Sequence, residues 1–390
     1  MSVQKAIAVV ELAQPIRLIE RPVPKPGPGE VLVKVSIAGR EYLYCYVNPN
    51  LRSRLIGVVE QKNVTDPLAN SFVPPHAVNP HDVLVREIGY FVGKDNLPGV
   101  LAIDIVGEII QLGQNVDNDN FKIGDRVMGQ GDPSVSDTKG SQEYAVLDAD
   151  FIAHLPSAVS PDQADTIILN PLTSYVALFS PLGLDIPSPL DGAKTDFDYH
   201  RTSIVIIGGS SACGRFAIQL SKWVGMGTVV TVAGKHGESV LKSLGATHVI
   251  DRSIPDEDIQ RQVRNIVGDD LLYVIDCNNR ADHTPGIRML SNAKKGTIVP
   301  LAAARPNTVD EAKIGPKQQG YNFKKFVCRP VLFRETAAQF YKALTQLIDH
   351  GVLKPTPFQV IEGLDADKIN AQLDRWRDGQ WPPRVNIHVS

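Results

Sequence analysis

The sequence predicts an α/β protein in two parts, a small β-barrel domain and a doubly wound parallel sheet. Three observations predict it. Strand-like stretches punctuated by glycine fill much of residues 5–154, a run of strand–helix units follows Tyr199, and a short glycine-rich turn opens that run. The 390 residues are enough for roughly two domains, and 43% hydrophobic with 21% charged residues is ordinary for a globular chain.

The elements follow in order. Lys5 to Leu12 is apolar and β-rich, and Glu30-VLVKV alternates apolar with polar; the prolines of PVPKPGPGE hold an extended turn between them. GVLAIDIVGEIIQLG and FKIGDRVMG continue the strand pattern over residues 99–130, and Tyr144 to His154 predicts one further strand. A helix starts near Ser160-Pro161, serine capping and proline filling the first turn. Pro187 to Arg201 reads as a surface loop. SIVIIGG is then a short continuous apolar run that suits a strand buried on both faces. Helix CGRFAIQLSKWVG, strand TVVTVAG, helix ESVLKSLG, strand THVID, helix DEDIQRQVRNIVG and strand LLYVIDC come next. A helix around His283 to Ala293 and strand GTIVPLA complete the βα run. The tail gives a helix from Thr336 to His350 and the strand RVNIHVS.

Charge and cysteine content exclude several classes. A net charge of -3 gives no reason to expect nucleic acid or an acidic membrane as partner. Cys45, Cys213, Cys277 and Cys328 are scattered, which suggests neither a disulfide framework nor a four-thiolate zinc loop and fits a reducing compartment, the cytoplasm. The N-terminus reads as a strand and not a signal peptide, and no segment holds about eighteen unbroken apolar residues.

Gly208-Gly209-Ser210-Ser211-Ala212-Cys213-Gly214 joins a strand to a helix. Such a turn offers backbone N–H groups and a helix N-terminus to a phosphate, its glycines letting backbone and diphosphate approach. Ser211 replaces the middle glycine of G-x-G-x-x-G, so the motif alone is weak, and its place at the head of the βα units carries the cofactor reading. An NAD site wants Asp or Glu at the end of the second strand; here TVVTVA ends in Gly234-Lys235-His236. Lys235 there suits a 2′-phosphate, with Arg252 as a candidate second cation, and NADPH is the predicted cofactor.

These pieces together resemble the medium-chain dehydrogenase/reductase superfamily, in its zinc-independent quinone and enoyl reductase branch, above all the fungal trans-acting enoyl reductases that assist polyketide synthases. PGPGEVLVKV, NPHD at 79–82, PGVLAIDIVGEIIQLG, FKIGDRVMG, LNPLTSYVAL, GGSSACGRFAIQL, SLGATHVID and VIEGLDADKINAQL carry the resemblance. It implies a GroES-like barrel catalytic domain over residues 1–172, a Rossmann NADPH-binding domain over 173–330 and a return of 331–390 to the catalytic domain. It implies hydride transfer to an activated C=C bond of an enoyl thioester or enone. NADPH:quinone oxidoreduction and a non-catalytic, crystallin-like NADPH-binding role are the alternatives. Partners are a small-molecule substrate, a polyketide synthase acyl carrier, and no second chain or one copy of itself.

The resemblance also assigns residues. Zinc alcohol dehydrogenases place a Cys where this chain has Asn79 and a His-Glu pair where it has Ile103-Asp104, so three metal ligands are not assembled. Tyr90, eleven residues after Asn79, matches a cleft tyrosine of related reductases and is the candidate proton donor, with Asn79 beside it. Thr173 of PLTSY matches a threonine beside the nicotinamide ribose, its other reading being a helix cap. Asn278, after LLYVIDC, completes the cofactor set. His81 and His283 read as surface or cap residues. Residues 37–76 interrupt the family pattern without a period of their own. An in-frame unspliced intron explains them better than a lid over the cleft.

Overall fold

A computed structural model describes residues 2–39, 81–192, 196–277, 282–301, 308–380 and 383–389. The first part is all-β around a core of alternating inward side chains. β1 (Val3–Val9) pairs antiparallel with β2 (Arg17–Pro22) and with the short β4 (Gly99–Val100). β3 (Glu30–Gly39), β5 (Asp104–Leu112), β6 (Arg126–Gln130), β7 (Tyr144–Asp148) and β8 (Ile152–His154) form the larger sheet, with β3 pairing both β5 and β7. Where one strand is predicted from Tyr144 to His154, a single 3-10 turn, Ala149–Phe151, breaks it in two, because Asp148 turns the chain by accepting from Asp150 N. Ile7, Val31, Val33, Ile105, Ile109 and Val127 are buried in the enclosed core.

Helix α1 (His81–Ile88) lies against this core. α2 (Pro161–Asp165) starts where the sequence places it, with Ser160 and Gln163 forming a reciprocal capping box. α3 (Leu169–Phe179) is buried along its length, which hides any amphipathic period from the sequence.

The second part is a parallel sheet. β9 (Ser203–Ile207), β10 (Thr228–Ala233), β11 (His248–Asp251), β12 (Tyr273–Asp276), β13 (Gly296–Pro300) and β14 (Tyr321–Phe323) stand in the order β11-β10-β9-β12-β13-β14. α4 (Ala212–Trp223), α5 (Glu238–Leu244), α6 (Asp256–Val267) and α7 (Thr284–Met289) make its crossovers. Buried strands β9, β10 and β12 read as apolar runs for this reason. The half-exposed, three-residue β14 has no such signal.

The chain then returns. α8 (Arg334–Asp349) leads to β15 (Phe358–Glu362), α9 (Ala366–Arg377) and β16 (Arg384–His388), and β16 pairs antiparallel with the end of β3. None of the described helices is long and apolar enough to cross a membrane.

One boundary differs from the sequence reading. Ile37, Ala38 and Gly39 are not part of the interruption; they continue β3 and pair with β5 on one side and β16 on the other. Their ladder partners, Val106, Ile105 and Asp104, require them. The rest of the segment, residues 40–76, lies outside the described residues, as do Asn79 and Asn278. A deletion joining Gly39 to Ala77 should therefore fold. Deletion from Ile37 should be less stable by about 2–4 kcal/mol, the usual weight of lost buried aliphatic side chains. Equilibrium denaturant unfolding of the two deletion proteins checks this, and equal midpoints would contradict the boundary.

Candidate functional site

β9 and β12 are neighbours in the sheet, yet the chain runs from β9 toward one edge and from β12 toward the other. Their C-terminal ends therefore open a crevice, the usual ligand position in such sheets. The glycine turn occupies it. Gly208 holds φ 81° and donates to Val232 O at 2.8 Å. Ser211 caps α4 by accepting from Gly214 N at 3.0 Å. A Cβ on Gly209 would strike the Thr231 hydroxyl, and one on Gly214 would strike the Gly208 carbonyl and lie 2.7 Å from Gly209 Cα. Close packing of the turn on β10 and on itself thus requires these glycines, and it leaves the head of α4 beside the cleft, where a diphosphate would meet backbone N–H groups. Ala212 and Cys213 form the first turn of α4. Cys213 is buried, with Sγ 3.2 Å from Asn170 Oδ1, and its carbonyl accepts from Ser174 Oγ at 2.8 Å, tying α4 to α3.

A cleft of about 260 Å³ extends from the turn. Ile207, Val232, Ile259, Pro285 and Met289 make an apolar slot of the kind a purine ring fills. Ser210, His236, Gly237 and Arg252 line it too, together with Asp256, Asp276 and Asp282. A Cβ on Gly237 would lie 3.3 Å from Ser210 Oγ, and one on Gly234 3.9 Å from Arg252 Nε, so both side chains converge on the turn after β10. Lys235 is exposed on the 3-10 turn Lys235–Gly237 and does not line this wall, while His236, one residue on, does.

The histidines correct the sequence reading in part. His283 holds the N-cap position of α7, as the cap reading has it, but it is no surface residue: it is fully buried, with Nδ1 2.9 Å from Asp276 Oδ2 at the end of β12. His81 is buried too, stacked on Phe91 at 5.6 Å between ring centroids, and burial, opposed by Asp82, pushes its pKa down. Tyr90 follows α1, half-buried, its ring 4.2 Å from that of Phe91 and 6.1 Å from that of His81. Thr173 lies in the second turn of α3 and not at its cap. It is 6% exposed, and its hydroxyl donates to Leu169 O at 3.0 Å.

Ile103 and Asp104 mark the other end of the site. Ile103 is buried. Asp104 accepts from Arg384 Nη2 at 2.7 Å and from Leu169 N, the first residue of α3, at 3.2 Å. The same Nη2 donates to Asp165 Oδ2 at 3.0 Å and Asp165 O at 2.8 Å. Two buried carboxylates share one guanidinium. Burial outweighs the attraction of Arg384, so both carboxyl pKa values rise, that of Asp165 to about 7.

Sequence reasoning missed the Asp276–His283 pair and Arg384. Asp276 and His283 are separated by seven residues and meet only because α7 folds back on β12. Nothing near Arg384 marks its partners, 219 and 280 residues away in the chain.

With this geometry in place the comparisons are informative. Residues 73–157 match the model of the alcohol dehydrogenase GroES-like domain, and residues 212–345 that of the zinc-binding dehydrogenase. The first match begins inside the 40–76 segment, past β3. The chain belongs to the medium-chain dehydrogenase/reductase superfamily, in its enoyl and quinone reductase branch, and is an oxidoreductase of the kind that binds a nicotinamide cofactor. In particular it is 32% identical over 326 residues to the trans-enoyl reductase himH of Aspergillus japonicus, covering 80% of this chain and 87% of that one. It is 36% identical to the dehydrogenase pigH of Monascus ruber over 196 residues, 47% of this chain and 51% of that relative, so this match spans about half the length of pigH. A putative zinc-dependent alcohol dehydrogenase from Rhizobium etli shares the fold, with a TM-score of 0.72 at 20% identity over 100% of this chain and 99% of the other.

The paired carboxylates give a pH dependence. A carboxyl whose folded pKa is raised from 3.8 to about 7 contributes stability that is fully present below about pH 4 and is lost as pH rises through about 7. Asp165→Asn keeps the hydrogen bond to Arg384 and removes the proton. The variant should gain on the wild type in urea unfolding midpoint as pH rises from 5 to 7.5; a constant difference would contradict the assignment.

Proposed function

We propose that the chain is an NADPH-dependent, zinc-independent reductase that transfers hydride to the activated C=C bond of an enoyl thioester or enone, the acyl group borne by a polyketide synthase carrier. The observation that carries this reading is the cleft wall of Ser210, His236 and Arg252 beyond the glycine turn, where β10 itself ends in Gly234-Lys235-His236 without the carboxylate that would hold a ribose 2′-hydroxyl, although Asp256, Asp276 and Asp282 line the same cleft. When bound, the reduced nicotinamide supplies the hydride. The glycine turn receives the diphosphate, and Arg252 and His236 hold the 2′-phosphate. Thr173, on the helix anchored to the turn through Ser174, lies on the ribose side. Tyr90 orients the acceptor and donates its phenolic proton as charge gathers on oxygen. Zinc independence is supported by the side chains at the metal-ligand positions: Ile103 offers no lone pair, and the Asp104 carboxylate is engaged by a guanidinium. The enoyl reading is further supported by the similarity to himH. Tyr90 favours a second reading, NADPH:quinone oxidoreduction.

One assay series tests these points. NADPH consumption is measured with a crotonyl thioester, an enone and 1,4-benzoquinone, before and after exhaustive chelation. Turnover with an alkene acceptor is expected to survive chelation, and NADPH to bind at least tenfold more tightly than NADH. Arg252→Ala and His236→Ala should each weaken NADPH roughly ten- to hundredfold, the weight of a charge-assisted hydrogen bond or two, and leave NADH unchanged. Lys235→Ala should do less than either. Loss of activity on chelation, or equal affinity for the two cofactors, would overturn the reading. Turnover with the quinone alone would select the second. NADPH binding without turnover would mark a non-catalytic protein.

A further inference from the structure

The last strand presents a row of polar side chains to α2. Residues two apart on a strand share a face, and Arg384, Asn386 and His388 of β16 all reach that short helix. Arg384 Nη2 donates to Asp165, and Asn386 Nδ2 donates to Asp162 O at 2.9 Å and to Asp162 Oδ1 at 3.1 Å. His388 Nε2 lies 2.9 Å from the same Asp162 Oδ1. His388 has a second acidic neighbour. In the parallel ladder of β15 and β16 it stands directly opposite Glu362, and its Nδ1 lies 3.2 Å from Glu362 Oε1. One imidazole is thus set between two carboxylates that belong to two different elements.

A carboxylate oxygen only accepts, so both ring nitrogens must carry protons for both contacts to attract. That species is the imidazolium. The two contacts are unequal. The Asp162 side chain is 20% exposed and also held by Asn386, whereas that of Glu362 is 75% exposed. On the other side β3 sets uncharged Ile37 opposite His388. Arg384 and Asp165, farther along the same face, are bonded to each other. A neutral imidazole keeps one N–H, which stays with Asp162. The bare Nδ1 lone pair then faces the Glu362 carboxylate, and the exposed carboxylate turns to water. β15 depends most on that contact. It stands at the end of its sheet, pairs with β16 alone among the described strands, and none of its five residues is buried.

We propose that His388 is a pH-sensitive clasp: as imidazolium it pins the edge strand β15 to β16 through Glu362, and loss of its proton frees that strand. The clasp is independent of the reaction catalysed. Burial pulls the His388 pKa down, but the bonds and charges of Asp162 and Glu362 outweigh it and hold the group above its ordinary value of 6.5. A histidine raised in this way contributes stability that is fully present below about pH 6.5 and is lost as pH rises through the folded value.

Amide hydrogen exchange of the full chain, corrected for the intrinsic effect of pH, tests this. In the wild type, protection of residues 358–362 should fall roughly two- to fivefold between pH 6 and pH 8.5, the weight of a partly exposed ion pair. His388→Gln should show the lower level at both pH values. Glu362→Gln should lose the response as well. Asp165→Asn should keep it, which separates the clasp from the titration of the neighbouring carboxyl. Equal protection of the wild-type strand at both pH values, or a strand unprotected at both, would overturn the proposal. A wild-type response in His388→Gln or Glu362→Gln, or its loss in Asp165→Asn, would do the same. Where His388→Gln does not fold, Glu362→Gln, a change at an exposed side chain, decides in its place.

Discussion

The Arg384 guanidinium, buried between Asp104 and Asp165, joins four segments that are far apart in the chain. Asp104 belongs to β5, Asp165 ends α2, Arg384 opens β16, and the second oxygen of Asp104 holds the first N–H of α3. β3 passes so close that a Cβ on Gly39 would collide with both Arg384 and Asp165. Charges this deep survive only when paired, so the arrangement is strongly specified by what its loss would leave exposed to a low-dielectric interior. It also makes the last strand of the chain a structural part of the first domain.

From this anchor the geometry of the site follows by short steps. Asp104 sets the start of α3, and Ser174 on α3 bonds the Cys213 carbonyl at the head of α4, directly beyond the glycine turn. The start of α1 hangs on the same stretch, through Asp82 and Ala102. The antiparallel strands and the parallel sheet are thereby tied together through α3.

Much of this was legible in the residues. The apolar runs of β9, β10 and β12, the Ser160-Pro161 start and the glycine turn are local signals, and local chemistry decides them. The fully buried α3 gave no period because every face is covered. The three residues Ile37 to Gly39 looked like part of an interruption because their pairing partners, Asp104 to Val106 and Asn386 to His388, lie far along the chain. His81, His283 and Arg384 share one reason for being misread or overlooked: a titratable side chain shows its burial and its partners only once distant segments come together. Of the two cations expected beyond β10, Arg252 lines the cleft and Lys235 stands exposed on the 3-10 turn beside it.

The central claim is that the Arg384 guanidinium is needed to compensate the two buried carboxyls, Asp104 and Asp165, whose burial is costly without it. Equilibrium denaturant unfolding at pH 7 of Arg384→Met, set beside the triple variant Asp104→Asn, Asp165→Asn, Arg384→Met, tests it most directly. Removing the guanidinium alone leaves two buried carboxyls uncompensated and should cost about 3–5 kcal/mol, while the triple variant, which buries no charge, should recover most of that loss. A single variant within about 0.5 kcal/mol of wild type, or a triple variant no more stable than the single one, would contradict the account.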